Sequence, residues 1–277
     1  MTTKENHPIL VPYDFTSVSD VAIIHAASIA KLTGYPLIIL NIVDESTQKF
    51  LKQHNQIEKF LNINLEKICE KTRKNFHVKV SFLIKKGSII SIRNIAENLH
   101  ISYMFIGIDQ PHTLASQVLR MIGNSPAPVY VVQGNIKWKD INTIVFPVDS
   151  YEETRQKISC TIIIAKYTNA TVRLFSIKLR NKERQYTQDV RVRQIEKMLL
   201  EKEIPFVTDY ATRDEKEFPD ELPEYATTNN ADLFILMKTP TLYFNNLFIN
   251  PIDKKVLLNS QNIPSIYINP RDVGRYI

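Results

Sequence analysis

An internal repeat constrains the fold of this chain more than any other feature of its sequence. Residues 9–42 read ILVPYDFTSVSDVAIIHAASIAKLTGYPLIILNI, and residues 144–177 read IVFPVDSYEETRQKISCTIIIAKYTNATVRLFSI. A shift of 135 positions aligns Pro12 with Pro147 and Asp14 with Asp149 without a gap. A repeat of this length indicates one domain present twice, and 277 residues suit two cores better than one. We therefore predict domains over residues 1–134 and 141–277.

Each copy alternates strand patterns with helix patterns. The first predicts strands at Ile9–Val11, Leu37–Val43, His77–Ile84, Tyr103–Ile106 and Val129–Val132, and the second at Ile144–Phe146, Val172–Ile177, Pro205–Tyr210, Leu233–Leu236 and Ser265–Ile268. Apolar residues at helical spacing lie between these strands, and Ser17 or Ser19 is expected to cap the first helix. Strands that alternate with helices predict a parallel sheet covered on both faces. The expected fold class is α/β, with two tandem doubly wound five-stranded domains.

The end of the first strand in each copy is a candidate binding position. Pro-x-Asp stands there in both copies, at Pro12–Asp14 and Pro147–Asp149. In doubly wound sheets, ligands bind beyond the carboxyl ends of the strands, where the strand order reverses. Asp14 can accept a hydrogen bond from a base or a ribose, or it can cap the following helix, and both roles can hold at once.

The first copy resembles the universal stress protein family. Shared features are the strand ending in Pro12-Tyr13-Asp14, the alanine-rich helix after it, and the closing strand Pro128-Val129-Tyr130-Val131-Val132. The resemblance extends over nearly the whole chain as two copies, the second more diverged. It implies a Rossmann-like fold of the adenine nucleotide alpha hydrolase type. It also implies that the copies pair through their fifth strands, as an internal pseudo-dimer.

Family members that bind ATP carry a Gly-x2-Gly-x9-Gly-Ser/Thr loop after the fourth strand. Its glycines let backbone N–H groups converge on phosphate oxygens. In the first copy Gly107 takes the first glycine position, Gln110 the second, and Ala115-Ser116 the Gly-Ser pair, with five residues fewer between them. Gly107 is expected to turn the chain out of the fourth strand. The candidates for nucleotide or anion contact in this copy are Asp14, Gly107, His112 and Ser116.

The second copy lacks the loop's glycines altogether. Met237, Pro240 and Asn250-Pro251 take the motif positions with the family spacing. Proline has no backbone N–H to offer a phosphate, so this copy is not expected to bind ATP by the family route. The apolar segment Thr241–Ile249 within this loop is expected either to fill the vacated cleft or to form an exposed flap.

Composition excludes several classes of function. The net charge of +6 permits attraction to polyanions, but the basic residues are mixed with acidic ones in helical patterns, so nucleic acid is not an expected partner. No apolar run reaches the length of a membrane span, and no apolar signal core opens the sequence, so a cytoplasmic location is expected. The histidine and cysteine spacings match no metal site, and no nucleophile–base pair is recognisable.

These observations predict a binding or regulatory module of the stress response without catalytic activity. A protein or a small molecule is the expected partner, and a further homodimer is left open. The alternative is a weak adenine-nucleotide or small-anion site in the first copy, for ATP or AMP, with slow ATP hydrolysis as an extension.

Overall fold

A computed structural model describes residues 7–44, 57–88, 91–109, 121–149, 154–238 and 251–269. The chain divides into two compact units, Met1–Trp138 and Lys139–Ile277. Among the described helices, none combines the length and the apolar character that a membrane span needs.

The first unit contains a parallel sheet of five described strands. Its elements are β1 (Ile9–Pro12), α1 (Ser17–Thr33), β2 (Leu37–Val43), α2 (Ile57–Phe76), β3 (Val80–Lys86), α3 (Ser91–Asn98), β4 (Tyr103–Ile108) and β5 (Val129–Gln133). The strands pair in parallel in the order β3-β2-β1-β4-β5. The order therefore reverses between β1 and β4, which is where sheets of this kind bind ligands.

The second unit repeats this plan. Its elements are β6 (Thr143–Val148), α4 (Thr154–Thr168), β7 (Thr171–Ser176), α5 (Lys182–Glu201), β8 (Phe206–Tyr210), α6 (Phe218–Thr228), β9 (Leu233–Met237), α7 (Pro251–Leu257) and β10 (Ser265–Ile268). The strands pair in parallel in the order β10-β9-β6-β7-β8. The predicted α/β class and the number and order of the predicted strands are thus confirmed. The third strand of the first copy begins at Val80, three residues after the predicted His77, because His77 has a left-handed φ of 57°.

Burial explains why the strands form as they do. Ile9, Leu10 and Val11 of β1 are all 0% exposed, as expected of a central strand that has helices on both faces. The buried stripe of α1, which includes Ala22, Ala26 and Ile29, packs against this sheet. About 25 cal/mol per Å² of buried apolar surface stabilises this arrangement.

Thr16 and Gly34 set the two ends of α1. Thr16 is the N-cap, and its side chain accepts a hydrogen bond from the Ser19 N–H at 3.3 Å. The prediction that Ser17 or Ser19 caps this helix was therefore wrong, because Ser17 is already the first helical residue. Gly34 ends the helix with φ of 76°, a conformation that glycine adopts without steric cost.

Residues after β5 pack back onto α1 within the first unit. The ring of Trp138 meets the ring of His25 edge-on at 5.2 Å between centroids. His25 is 2% exposed, and its Nε2 lies 3.4 Å from the Ile136 carbonyl oxygen. His25 is therefore a packing residue between α1 and the segment that follows β5.

Candidate functional site

Asp14 lies at the reversal point of the first sheet, directly beyond β1. Its side chain is exposed, and Oδ1 accepts hydrogen bonds from the Thr16 N–H at 3.1 Å and from the Thr16 hydroxyl at 2.6 Å. Since Thr16 caps α1, Asp14 supports that cap rather than forming it. The capping role weighed from the sequence is thus carried out indirectly, and the role toward a base or ribose stays a prediction.

The residues beside Asp14 hold this loop in a defined shape. Tyr13 is buried, its hydroxyl donates to Asp20 Oδ1 at 2.7 Å, and its carbonyl accepts from the Asn41 side-chain amide at 2.9 Å. Burial raises the pKa of Tyr13, and the hydrogen bond to Asp20 adds to this effect, so the phenol keeps its proton. The Asp14 carboxylate is therefore presented to solvent from a fixed backbone.

Phe15 is a rim residue that sequence reasoning missed. Its φ is 64°, its ring is 41% exposed, and it packs edge-on against Tyr13 at 5.0 Å. A non-glycine residue in the left-handed region is strained, and such strain gathers at functional loops. The signal available in the sequence was an aromatic residue directly after Asp14.

Gly107 has a different role from the one predicted. It does not turn the chain, because it lies inside β4 and pairs with Val132 of β5. A Cβ at this position would lie 2.0 Å from the Val18 carbonyl oxygen and 3.0 Å from the Ser19 nitrogen. Glycine is required here because the first turn of α1 crosses β4 in direct backbone contact.

Strand register confirms the alignment of the two loops up to their first position. Ile9 pairs with Tyr103 in the first unit, and Ile144 pairs with Leu233 in the second. Gly107 and Met237 are each four residues further along. Met237 carries a side chain, so the second unit cannot reproduce this backbone contact unchanged. His112, Ser116 and the segment 241–249 lie outside the described residues, and their roles stay predictions.

The corresponding rim of the second unit contains a buried lysine. Lys157 of α4 is 4% exposed, its ammonium donates to the Pro147 carbonyl oxygen at 2.5 Å, and it lies 4.2 Å from the Phe146 ring centroid. The repeat aligns Lys157 with Ala22. The methyl side chain of the first unit therefore corresponds to a long, charged side chain in the second. Sequence reasoning missed this residue, although the exchange is visible in the alignment.

Other charged groups surround Lys157 at the same edge. Arg191 of α5 donates to the Asp149 backbone oxygen at 3.0 Å and to Gln188 Oε1 at 2.8 Å. Burial lowers the pKa of Lys157 to about 8, a change opposed by the Asp149 carboxylate. Burial raises the pKa of Asp253, on α7, to about 7, and Asp149 adds to this rise.

The described residues contain little that suits metal or thiol chemistry. Within them, no group of three or more His, Cys, Asp or Glu side chains is placed to hold a metal ion. Cys69 and Cys160 are buried free thiols. Burial raises the pKa of Cys69 to about 11, which keeps it protonated and a poor nucleophile.

Comparison with known proteins places the first unit in a family. Residues 5–133 match the model of the Universal stress protein family. No curated protein matches the chain.

Solved structures share the fold over nearly the full chain. A universal stress protein from Archaeoglobus fulgidus has a TM-score of 0.73 at 13% identity, over 96% of this chain and 99% of that one. A putative universal stress protein from Pseudomonas aeruginosa has a TM-score of 0.64 at 14% identity, over 96% of this chain and 94% of that one. At these identities the likeness establishes the fold alone.

Proposed function

Because residues 5–133 match the universal stress protein family, we propose that the chain is a binding and regulatory module of the stress response rather than an enzyme. One observation carries this proposal: both rims are built from residues already engaged in holding the fold. Gly107 accommodates the backbone of α1, Asp14 supports the Thr16 cap, and Lys157 donates to the Pro147 carbonyl. Residues that already hold the fold in this way are not free to act on a substrate, which favours a binding role over catalysis.

We further propose that neither unit binds ATP through a glycine loop. Gly107 and Met237 occupy the first motif position, and neither is placed to cradle a phosphate: one is closed over by α1, and the other has a side chain. A phosphate cradle needs several converging N–H groups free of neighbouring side chains.

Isothermal titration calorimetry of the full chain with ATP, ADP and AMP tests this proposal. We expect no saturable binding of ATP at micromolar concentration. Micromolar affinity for ATP, abolished by Asp14→Ala, would show that the proposal is wrong.

A second candidate function is weak binding of an adenine nucleotide or a small anion in the first unit. It is favoured by the exposed Asp14 carboxylate beside the exposed Phe15 ring, because a carboxylate can accept from a hydroxyl or an amino group while an aromatic ring stacks on a base. His112 and Ser116 would complete the site. Slow ATP hydrolysis would be an extension of this binding.

Three variants distinguish direct contact between Asp14 and the nucleotide from a change in the shape of the loop after β1. If the site exists, Asp14→Asn should abolish millimolar-range binding of AMP, measured by ligand-detected NMR. Asp149→Asn, the equivalent change in the second unit, should leave it intact. Thr16→Ala removes the cap and keeps the carboxylate, so loss of binding in this variant as well would assign the effect to loop geometry.

A further inference from the structure

The positive charge of the chain is concentrated in one helix of the first unit and the strand after it. Residues 57–86, from the start of α2 to the end of β3, contain eight lysine and arginine residues and three glutamates, a net charge of +5. The net charge of the whole chain is +6. Residues 182–210, from the start of α5 to the end of β8, contain six basic and six acidic residues. The equivalent parts of the two units are therefore strongly basic in the first and neutral in the second.

Five exposed side chains form a stripe along α2, which we call the α2 stripe. Its consecutive members are three or four residues apart, so they lie on one face of the helix. They are Phe60, Ile63, Lys67, Lys71 and Lys74. Phe60 is 60% exposed and Ile63 is 45% exposed. The stripe is about 21 Å long, with its apolar side chains toward the N-terminus of α2 and its ammonium groups toward the C-terminus.

Other groups of α2 than the lysines of the stripe attach this helix to the unit. Within the described residues, none of the three lysines is in an ion pair. Arg73, by contrast, donates to Glu66 Oε1 at 2.8 Å and to the Val80 carbonyl oxygen at 3.0 Å. On the opposite face, Leu65 and Cys69 are 0% exposed. The α2 stripe is thus an exposed surface whose charges have no described counter-charge.

The neighbouring strand extends this positive surface. The bond from Arg73 to the Val80 carbonyl fixes the end of α2 to the start of β3. The exposed lysines of β3 and of the turn before it are Lys79, Lys85 and Lys86. In the described strand order β3 is at one end, paired with β2. An approaching anion therefore meets lysines on the helix and on the edge strand beside it.

We propose that the α2 stripe is the docking surface for an acidic segment of a partner protein, in which one or two apolar side chains adjoin a run of aspartate or glutamate. The apolar side chains of the segment cover Phe60 and Ile63, and its carboxylates lie along the three lysines. This docking gives the binding module proposed above a class of partner, and it rests on that proposed role.

The composition of the stripe favours a peptide over other polyanions. Arginine is the side chain that binds phosphate oxygens in pairs, and Arg73 of α2 is already engaged with Glu66. A helix that lies in a membrane surface buries an apolar face along its length. The apolar face of α2 is packed in the first unit, and the stripe exposes only Phe60 and Ile63 at one end. Carboxylates beside a short apolar group match this surface in both charge and order.

Fluorescence anisotropy of the full chain with a labelled synthetic peptide tests the docking. The probe has about 14 residues, the helical length of the stripe, with two leucines near one end and glutamates along the rest. We expect saturable binding of this peptide and none of a control peptide that has glutamine in place of every glutamate. Raising the salt concentration should weaken binding, because exposed charges are screened.

A triple variant assigns the binding to the lysines of the stripe. Lys67→Gln, Lys71→Gln and Lys74→Gln, made together, should weaken the binding of the acidic peptide about tenfold. The matched control replaces three exposed lysines of the second unit by glutamine, which changes the net charge equally and should leave the affinity unchanged. These three are Lys178, Lys182 and Lys202.

A single variant tests the apolar end of the stripe. Phe60→Gln should weaken binding of the leucine-containing peptide about fivefold, because less apolar surface is covered. The same variant should bind a peptide of glutamate and alanine, without leucine, as tightly as the wild-type chain does. Equal losses for both peptides would contradict the apolar contact and with it the proposed order of the segment.

Three results would overturn the proposal. The first is no saturable binding of the acidic peptide, and the second is the same loss of affinity in both triple variants. The third is tighter binding of duplex DNA, or of vesicles of phosphatidylserine and phosphatidylcholine in equal parts, than of the peptide at the same salt concentration. Because these titrations contain no nucleotide, a negative result leaves the ATP calorimetry above to decide the proposed function separately.

Discussion

Single residues at the two rims carry roles that a motif alone does not reveal. Gly107 matches the first glycine of a phosphate loop, yet its described contact is with the backbone of α1. Its position was predictable from the sequence, because the apolar run before it defines β4. Its role was not, since the approach of Val18 depends on how a helix distant in sequence packs on the strand.

The first prediction concerns this steric role. Gly107→Ala should destabilise the chain by about 3 kcal/mol, because the new Cβ meets backbone rather than a movable side chain. Urea unfolding measures the change. Gly134→Ala is the control: that glycine has φ of 54° with nothing within 4 Å of its added Cβ, so only the local conformation opposes the change, at about 1 kcal/mol. Equal costs for the two variants would contradict the steric explanation.

The second prediction concerns His25. Its Nδ1 has no hydrogen-bond partner among the described residues, and burial lowers its pKa to about 4 despite the contact with the Ile136 carbonyl. The unfolded chain binds this proton more readily, with a pKa of about 6.5. The stability contribution of neutral His25 is therefore complete above pH 6.5 and falls by about 3 kcal/mol as the pH drops through 4.

Fluorescence of Trp138, the single tryptophan, reports on this event because its ring contacts His25. Unfolding curves between pH 7 and pH 4 should show a smaller loss of stability in His25→Leu than in the wild-type chain. A loss of the same size in both would mean that other groups, and not His25, govern stability in acid.

At the scale of elements, the two units satisfy equivalent buried carbonyl groups with different side chains. In the first unit, Asn41 of β2 donates to the Tyr13 carbonyl at 2.9 Å. In the second, the aligned carbonyl of Val148 accepts from Gln188 of α5 at 2.6 Å, while Ser176 takes the position of Asn41. A buried carbonyl at the end of each first strand thus receives a side-chain amide, from a strand in one case and from a helix in the other.

The third prediction follows from these amides. Asn41→Ala and Gln188→Ala should each cost about 1 to 3 kcal/mol, because each leaves a buried polar group without this donor. Chemical denaturation of the full chain measures both. Asn64→Ala provides a matched control, since its amide bonds to Phe60 on an exposed helix surface; a cost comparable to that of Asn41→Ala would contradict the role given to burial.

The sequence pattern predicted the helices and strands well, and the contacts at their ends less well. Strands such as β1 and β6 are continuous apolar runs bounded by proline and aspartate, so local pattern locates them. The predicted caps of α1, Ser17 and Ser19, lie one and three residues after the observed cap Thr16. All three residue types cap helices well, and the hydrogen bonds from Thr16 to Asp14 hold Thr16 in the capping position. Lys157 was overlooked because a lysine within a helical pattern is ordinarily exposed.

At the scale of the whole molecule, one fold occurs twice with different chemistry at equivalent places. The first unit presents Asp14 and Phe15 to solvent, and the second has a buried Lys157 bonded to the Pro147 carbonyl at the end of its first strand. The α/β class followed from the alternation of strands and helices. The chemical differences between the two rims had to come from side-chain burial, which the sequence pattern does not determine.

The fourth prediction concerns the mass of the protein in solution. The family resemblance implies that the two copies pair through their fifth strands, and a tandem chain can satisfy this pairing internally. Light scattering coupled to gel filtration should then give the mass of one chain, 32.1 kDa. Twice that mass would favour the homodimer left open by the sequence.

The contact between Gly107 and α1 has a consequence for how loops of this kind are inherited. In the first unit the packing of α1 favours this glycine whether or not a ligand is bound, because a Cβ would displace the helix, whereas the second unit has Met237 at the equivalent place. Its persistence in a descendant is then evidence of folding constraint and says little about nucleotides. A lineage can therefore lose phosphate binding through the rest of the loop while the first glycine remains.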